Sequence, residues 1–140
     1  MTDRIKKAVE LRNDKGYNCA QAVLCAYADM LNLDERTAYK IAEGFGTGMG
    51  GIGDTCGAVT AAFMLIGLKN GSGLPGDKST RAATYKQIRE FADAFKAKAG
   101  SVICRELKGE NGRPVYPCAA CIETAAELIE KNSKLKTTRL

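Results

Sequence analysis

Six cysteines stand at positions 19, 25, 56, 104, 118 and 121 of a 140-residue chain that contains no histidine. A cysteine does its chemistry as the thiolate, which attacks disulfides and binds soft metals. Without histidine the commonest imidazole ligand and proton shuttle is missing, and no Ser-His or Cys-His catalytic pair can form. Hydrolase triads are therefore poor candidates. Cys118 and Cys121 make a CxxC, an arrangement shared by redox dithiols and by half of a four-thiolate metal site. No βαβ pattern surrounds it, which argues against a thioredoxin-like fold. Cys19, Cys56 and Cys104 are isolated, so a zinc ribbon lacks its second close pair, and Ile122 stands where a haem-attachment motif needs histidine. Two uses of distant thiols stay open: an all-thiolate metal or iron–sulfur centre, and a dithiol/disulfide switch.

Between Gly44 and Gly57 the chain runs GFGTGMGGIGDTCG, with seven glycines in fourteen residues and Cys56 near the end. Glycine suits positive φ and close backbone approach, and it raises the entropic cost of folding, so this density needs a reason. Gly46 to Gly51 satisfies GxGxxG, but that fingerprint marks a dinucleotide site only between a strand and a helix. Here a helix precedes it, so no NAD is expected, and the P-loop pattern fails for want of Gly-Lys-Ser/Thr. The stretch is read as a shaped loop whose backbone, at Gly48, Gly50, Gly51 and Gly57, lies beside the cysteine site.

These residues must be positioned by helices. Ile5, Ala8, Val9 and Arg12 fall at three- and four-residue spacing, which predicts a first helix over 3–14. Asn18 with Gln21 three residues on is a capping-box pattern that makes Cys19 the first residue of a second helix, with Ala22, Val23, Ala26 and Met30 inward. Cys25, in the middle of that helix, is expected to be core. Asp34 caps a third helix ending near Glu43, and Thr55 is expected to cap a fourth, almost wholly apolar helix over 58–68 at the centre of the bundle. A turn-rich connector over 70–78 leads to a long helix from Ser79 or Thr80 to Ala99, with Tyr85, Ile88, Phe91, Ala92 and Phe95 as its apolar stripe. Ser101 caps a short turn holding Cys104, and a polar loop over 109–116 precedes a last helix from Cys118 to Lys131, with Ile122, Ala125, Ala126 and Ile129 inward. No alternating strand pattern appears, so the fold class is all-α: one domain over 1–140, a bundle of about six helices, with 130–140 a frayed basic tail. On this reading Cys19, Cys56, Cys104 and Cys118 each sit in the first turn of a helix, where partial positive charge and unpaired N–H groups favour S⁻.

The chain is long enough to bury a core without staples, and 45% apolar with 26% charged residues is ordinary for a soluble protein. Such cysteine enrichment then points to metal or thiol chemistry rather than structural disulfides. The net charge of +5 lies partly in the tail and lacks aromatic interleaving, so nucleic-acid binding is not expected. With no hydrophobic leader and no apolar run of about 18 residues, no membrane insertion is expected and the cytoplasm is the expected compartment.

In order and spacing, Gly16-Tyr17-Asn18-Cys19, Met49-Gly50-Gly51, Cys56-Gly57-Ala58, Cys104-Arg105-Glu106-Leu107 and Cys118 before Ile122, Ala125 and Ala126 resemble the C_GCAxxG_C_C family of redox-active proteins. The resemblance implies a small bacterial or archaeal helical protein, redox-active through Cys19, Cys56, Cys104 and Cys118, and often encoded near transporter genes. Cys25 and Cys121 are extras, Cys121 being an additional candidate redox thiol. One departure is Ala61 in CGAVTA, where the family has a second glycine. The leading expectation is a site where these four cysteines converge and ligate a [2Fe–2S] cluster or another thiolate-bound metal for electron transfer. A metal-free thiol–disulfide oxidoreductase or sensor is the alternative, and a non-catalytic partner module of a transporter system is a further one. A two-fold homodimer is the expected oligomer.

Overall fold

The computed structural model of the chain describes residues 1–109 and 115–131. Among the described residues eight α-helical segments, with 3-10 turns over Ala28–Leu31 and Glu43–Phe45, follow one another: α1 (Asp3–Asp14), α2 (Cys19–Tyr27), α3 (Glu35–Ala42), the single turn α4 (Gly46–Met49), α5 (Gly57–Asn70), α6 (Arg81–Ala99), α7 (Cys104–Lys108) and α8 (Cys118–Lys131). Among the described residues the only β pairing is an isolated antiparallel bridge between Thr55 and Ile103, so the all-α class holds. No helix among them is long and apolar enough to cross a membrane. The last helix runs through Glu130 and Lys131, which corrects a tail fraying from residue 130. Residues 132–140 and the middle of the polar loop, 110–114, lie outside the described residues.

The centre of the bundle is a pair of helices rather than α5 alone. All nine residues of α2 are buried, and α2 packs most extensively on α5. Alanines explain the closeness: Ala20, Ala22 and Ala26 on one helix and Ala58, Ala61 and Ala62 on the other are completely buried and have little side chain to separate the backbones. α1 and α8 pack against each other and against α2, while α6 covers α5 and α8. The inward set of α8 is as predicted, with Ile122, Ala125, Ala126 and Ile129 buried. On α1 it is Leu11, with Ile5 and Ala8, that is buried. On α6 Phe91 and Phe95 are buried, but Tyr85, expected inward, is 55% exposed because it precedes the part of the helix that reaches the core.

Local capping sets the helix that matters most. Asn18 accepts from the Gln21 amide at 2.9 Å and the Gln21 side chain accepts from the Asn18 amide at 3.0 Å, so the predicted capping box starts α2 at Cys19. The remaining donors of the two side chains reach α3 and its end, Asn18 to the Glu43 carbonyl at 3.1 Å and Gln21 to the Tyr39 carbonyl at 3.0 Å. One pair of residues thus places Cys19 and ties α2 to α3.

Candidate thiol site

The predicted site residues come from four separated segments. Cys19 opens α2, Cys104 opens α7 and Cys118 opens α8; α7 follows Ile103 without a side-chain cap, so Ser101, whose hydroxyl accepts from the Ile103 amide at 3.0 Å, does not supply the expected cap. Cys56 is different: it is itself the residue before the first turn of α5, and Thr55 is held in the bridge to Ile103 instead of capping the helix. The amides of Ala58 and Val59 favour the Cys56 thiolate from the first turn, at longer range than a formed cap hydrogen bond.

The glycine loop is the clamp that joins these segments. Thr47, Gly48, Met49 and Gly50 all take left-handed φ, so the chain coils tightly, and Asp54 donates back to the Gly48 carbonyl at 2.9 Å. The coil then binds α7: the Cys104 amide donates to Asp54 O at 2.6 Å, the Arg105 amide to Gly53 O at 3.1 Å, and the Cys56 amide to Val102 O at 2.7 Å. At Gly48 a Cβ would lie 2.6 Å from the Cys104 Cβ and 2.7 Å from Asp54 N, too close for any side chain. At Gly57 a Cβ would lie 2.9 Å from Phe45 O and 3.0 Å from Ala20 N, so this glycine lets α5 meet the start of α2 and brings Cys56 towards Cys19. Of the four glycines expected beside the site, Gly48 and Gly57 line it, whereas Gly50 and Gly51 lie on the exposed outer turn.

A cavity of about 270 Å³ opens between these segments, and Cys19, Cys56, Cys104, Cys118 and Cys121 all line it. All six cysteines are free thiols, and Cys118 is the one that is not buried. Across the shared cavity the sulfurs influence one another chiefly in two pairs: Cys19 acts most strongly on Cys118, and Cys121 on Cys56. The Cys121 sulfur lies 3.7 Å from the Tyr116 carbonyl oxygen. Cys104 feels the charges of Cys56 and Cys118 without hydrogen-bonding to either. Cys25 is core, as expected, with its sulfur 3.7 Å from the Glu35 carbonyl oxygen.

Pairing, more than helix position, decides which sulfur ionises. The Cys19 thiol, with Arg12 and Lys108 nearby, brings the Cys118 thiol down to about 5 against the opposing cost of burial. Cys56 is lowered by Cys121 and by the helix amides. Their partners move the other way: Cys19 and Cys121 are each raised, first by the sulfur each is paired with and then by burial. Cys104 is raised by burial. The thiols expected to ionise alike therefore differ: Cys118 and Cys56 are held low and Cys19, Cys104 and Cys121 high.

Arg12 and Lys108 bring positive charge to the cavity, and among the described residues no carboxylate lines it. Arg12 shares the cavity with Cys19 and Cys118; burial works against its charge, and the two sulfurs outweigh that and raise its guanidinium. A charged residue on the apolar face of α1 was its signal in the sequence; Lys108 and Tyr116 had none. A second cavity, of about 340 Å³ and bounded by Thr2, Arg4, Tyr27, Leu65 and Glu130, carries no thiol. Its Glu130 is engaged by Thr2 and Tyr27 and its Arg4 by Asp29, so the candidate chemistry lies with the cysteines.

The arrangement also tests the expected metal. Among the described residues no three or more His, Cys, Asp or Glu side chains are grouped so as to hold a metal ion. Four-thiolate centres need the sulfurs around a common point at about 2.3 Å from the metal. No such grouping of sulfurs occurs among the described residues, so the thiols as arranged do not fit the group.

An all-α domain with a multi-thiol cavity is the class that this fold and site define. Within that class, residues 17–132 match the family described as "Putative redox-active protein (C_GCAxxG_C_C)", and the chain belongs to that family. No curated protein and no solved structure matches the chain.

Proposed function

We propose that this chain is a thiol–disulfide redox protein whose outer pair, Cys118 and Cys19, exchanges with a disulfide substrate or partner. The observation that carries the reading is that Cys19, Cys118 and Arg12 line one cavity, with Cys118 the one cysteine that is not buried. In the oxidising direction the Cys118 thiolate attacks one sulfur of R–S–S–R, forming Cys118–S–S–R and releasing RS⁻. Cys19 gives its proton to that thiolate and attacks the Cys118 sulfur, which closes the Cys19–Cys118 disulfide and releases a second RS⁻. Two electrons pass from the protein to the substrate. Arg12 holds the attacking charge in place, and burial keeps Cys19 protonated until the mixed disulfide forms.

A thiolate-bound cluster is the other reading of five cysteines on one cavity, and it requires the pairs to open and regroup. The two are separated by equilibrating the protein in graded thiol/disulfide buffers, alkylating it and weighing it. The expected result is a reversible loss of two alkylation sites, and protein purified anaerobically should carry no stoichiometric iron or acid-labile sulfide. Cysteines that stay fully alkylated at every poise would overturn the proposal, as would bound iron and sulfide in equal, stoichiometric amounts.

A further inference from the structure

The inner pair, Cys56 and Cys121, has no part in that exchange, and its position raises the question of how it could react at all. Cys56 is 5% exposed and Cys121 3% exposed, so neither sulfur meets a bulky disulfide arriving from solvent. Both nevertheless share the cavity with the outer pair. The two pairs are close enough for their charges to act on one another, Cys118 on Cys56 and both Cys19 and Cys118 on Cys121. Cys118 and Cys121 also stand three residues apart at the start of α8, a spacing that sets side chains on one face of a helix.

We infer that Cys56 and Cys121 form a second, internal redox pair that is oxidised only through Cys118, so that the site stores two disulfides in sequence. The inference rests on the thiol–disulfide reading of the outer pair. The step balances without any further reactant. Starting from a Cys19–Cys118 disulfide, the Cys56 thiolate attacks the Cys118 sulfur, forming Cys56–Cys118 and releasing the Cys19 thiolate. Cys121 passes its proton to Cys19 and attacks the Cys56 sulfur, forming Cys56–Cys121 and releasing the Cys118 thiolate. Two electrons move from the inner pair to the outer pair, one proton moves from Cys121 to Cys19, and one negative charge moves from Cys56 to Cys118. The outer pair is thereby returned to its starting form, ready for a second substrate, and the chain takes up two oxidising equivalents of disulfide instead of one. Burial supports the order, since a sealed inner disulfide is shielded from solvent thiols while the outer one meets them.

The test is a time course of the wild-type protein with excess hydroxyethyl disulfide, quenched by alkylation and mapped by mass spectrometry. Two alkylation sites should be lost first and two more later, with the second pair mapping to Cys56 and Cys121. Cys118→Ser, shown to be folded by circular dichroism, should lose the inner disulfide as well as the outer. If the outer pair bonds while Cys56 and Cys121 stay free, the relay is wrong and the outer exchange stands. If no pair bonds, both are wrong. A Cys56–Cys121 bond that forms as fast in Cys118→Ser as in wild type also overturns the relay.

Discussion

One proton separates Cys118 from Cys19, and where it rests sets the reactivity of the site. With Cys118 lowered to about 5 and Cys19 raised, the thiolate at neutral pH belongs to the sulfur that solvent can reach. Iodoacetamide labelling of Cys118 should therefore follow a titration with a midpoint near pH 5, fast above it and falling below it, while the buried thiols label slowly throughout. Arg12→Gln removes a positive charge that favours the Cys118 thiolate and should move that midpoint upward. The same shift bears on stability. The folded value lies below that of an unfolded thiol, so ionised Cys118 contributes stability that is fully present above the ordinary thiol range and is lost as pH falls through about 5. At this scale the sequence was legible in part. Cys19 and Cys118 could be placed at helix starts from Asn18 and Pro117, whereas α7 begins after Ile103 without the expected Ser101 cap; the partner of each sulfur could not be read, because pairing depends on four segments that only the fold brings together. Cys121, which the family comparison made an extra, is the clearest case: its role appears only with Cys56 beside it.

Among the elements, the glycine loop has the most exacting geometry, and its demand is concentrated at one residue. Gly48→Ala combines a left-handed φ of +65° with a Cβ 2.6 Å from Cys104, whereas Gly51→Ala has a left-handed φ of +90° and no neighbour within 4 Å. Backbone strain alone costs on the order of 1–3 kcal/mol, so Gly51→Ala should lose about that and Gly48→Ala more. Urea unfolding of the two variants measures the difference, and equal losses would show that the loop does not press on α7 as described. The loop's existence could be read from composition; its clamp onto Cys104 through Gly53 and Asp54 could not, since those bonds join residues about fifty positions apart. Thr55 shows the same limit. Its type suits a cap, but the long-range bridge to Ile103 takes it and leaves Cys56 at the helix boundary.

For the whole molecule, the bundle's centre was only half visible. α5 announces itself by an unbroken apolar run, whereas α2 does so weakly because alanine carries little hydrophobic signal even when it is completely buried. The closeness that those alanines allow is what makes a shared thiol cavity possible in a chain this small, with Cys19 and Cys56 delivered to it by the starts of the two central helices. The central claim, that the cysteines work as cross-helix pairs, meets its most direct test in the first disulfide to form. Substoichiometric oxidation followed by non-reducing peptide mapping should yield Cys19 linked to Cys118, joining α2 to α8. A first bond between Cys118 and Cys121 within α8, or one that includes Cys104, would contradict the account.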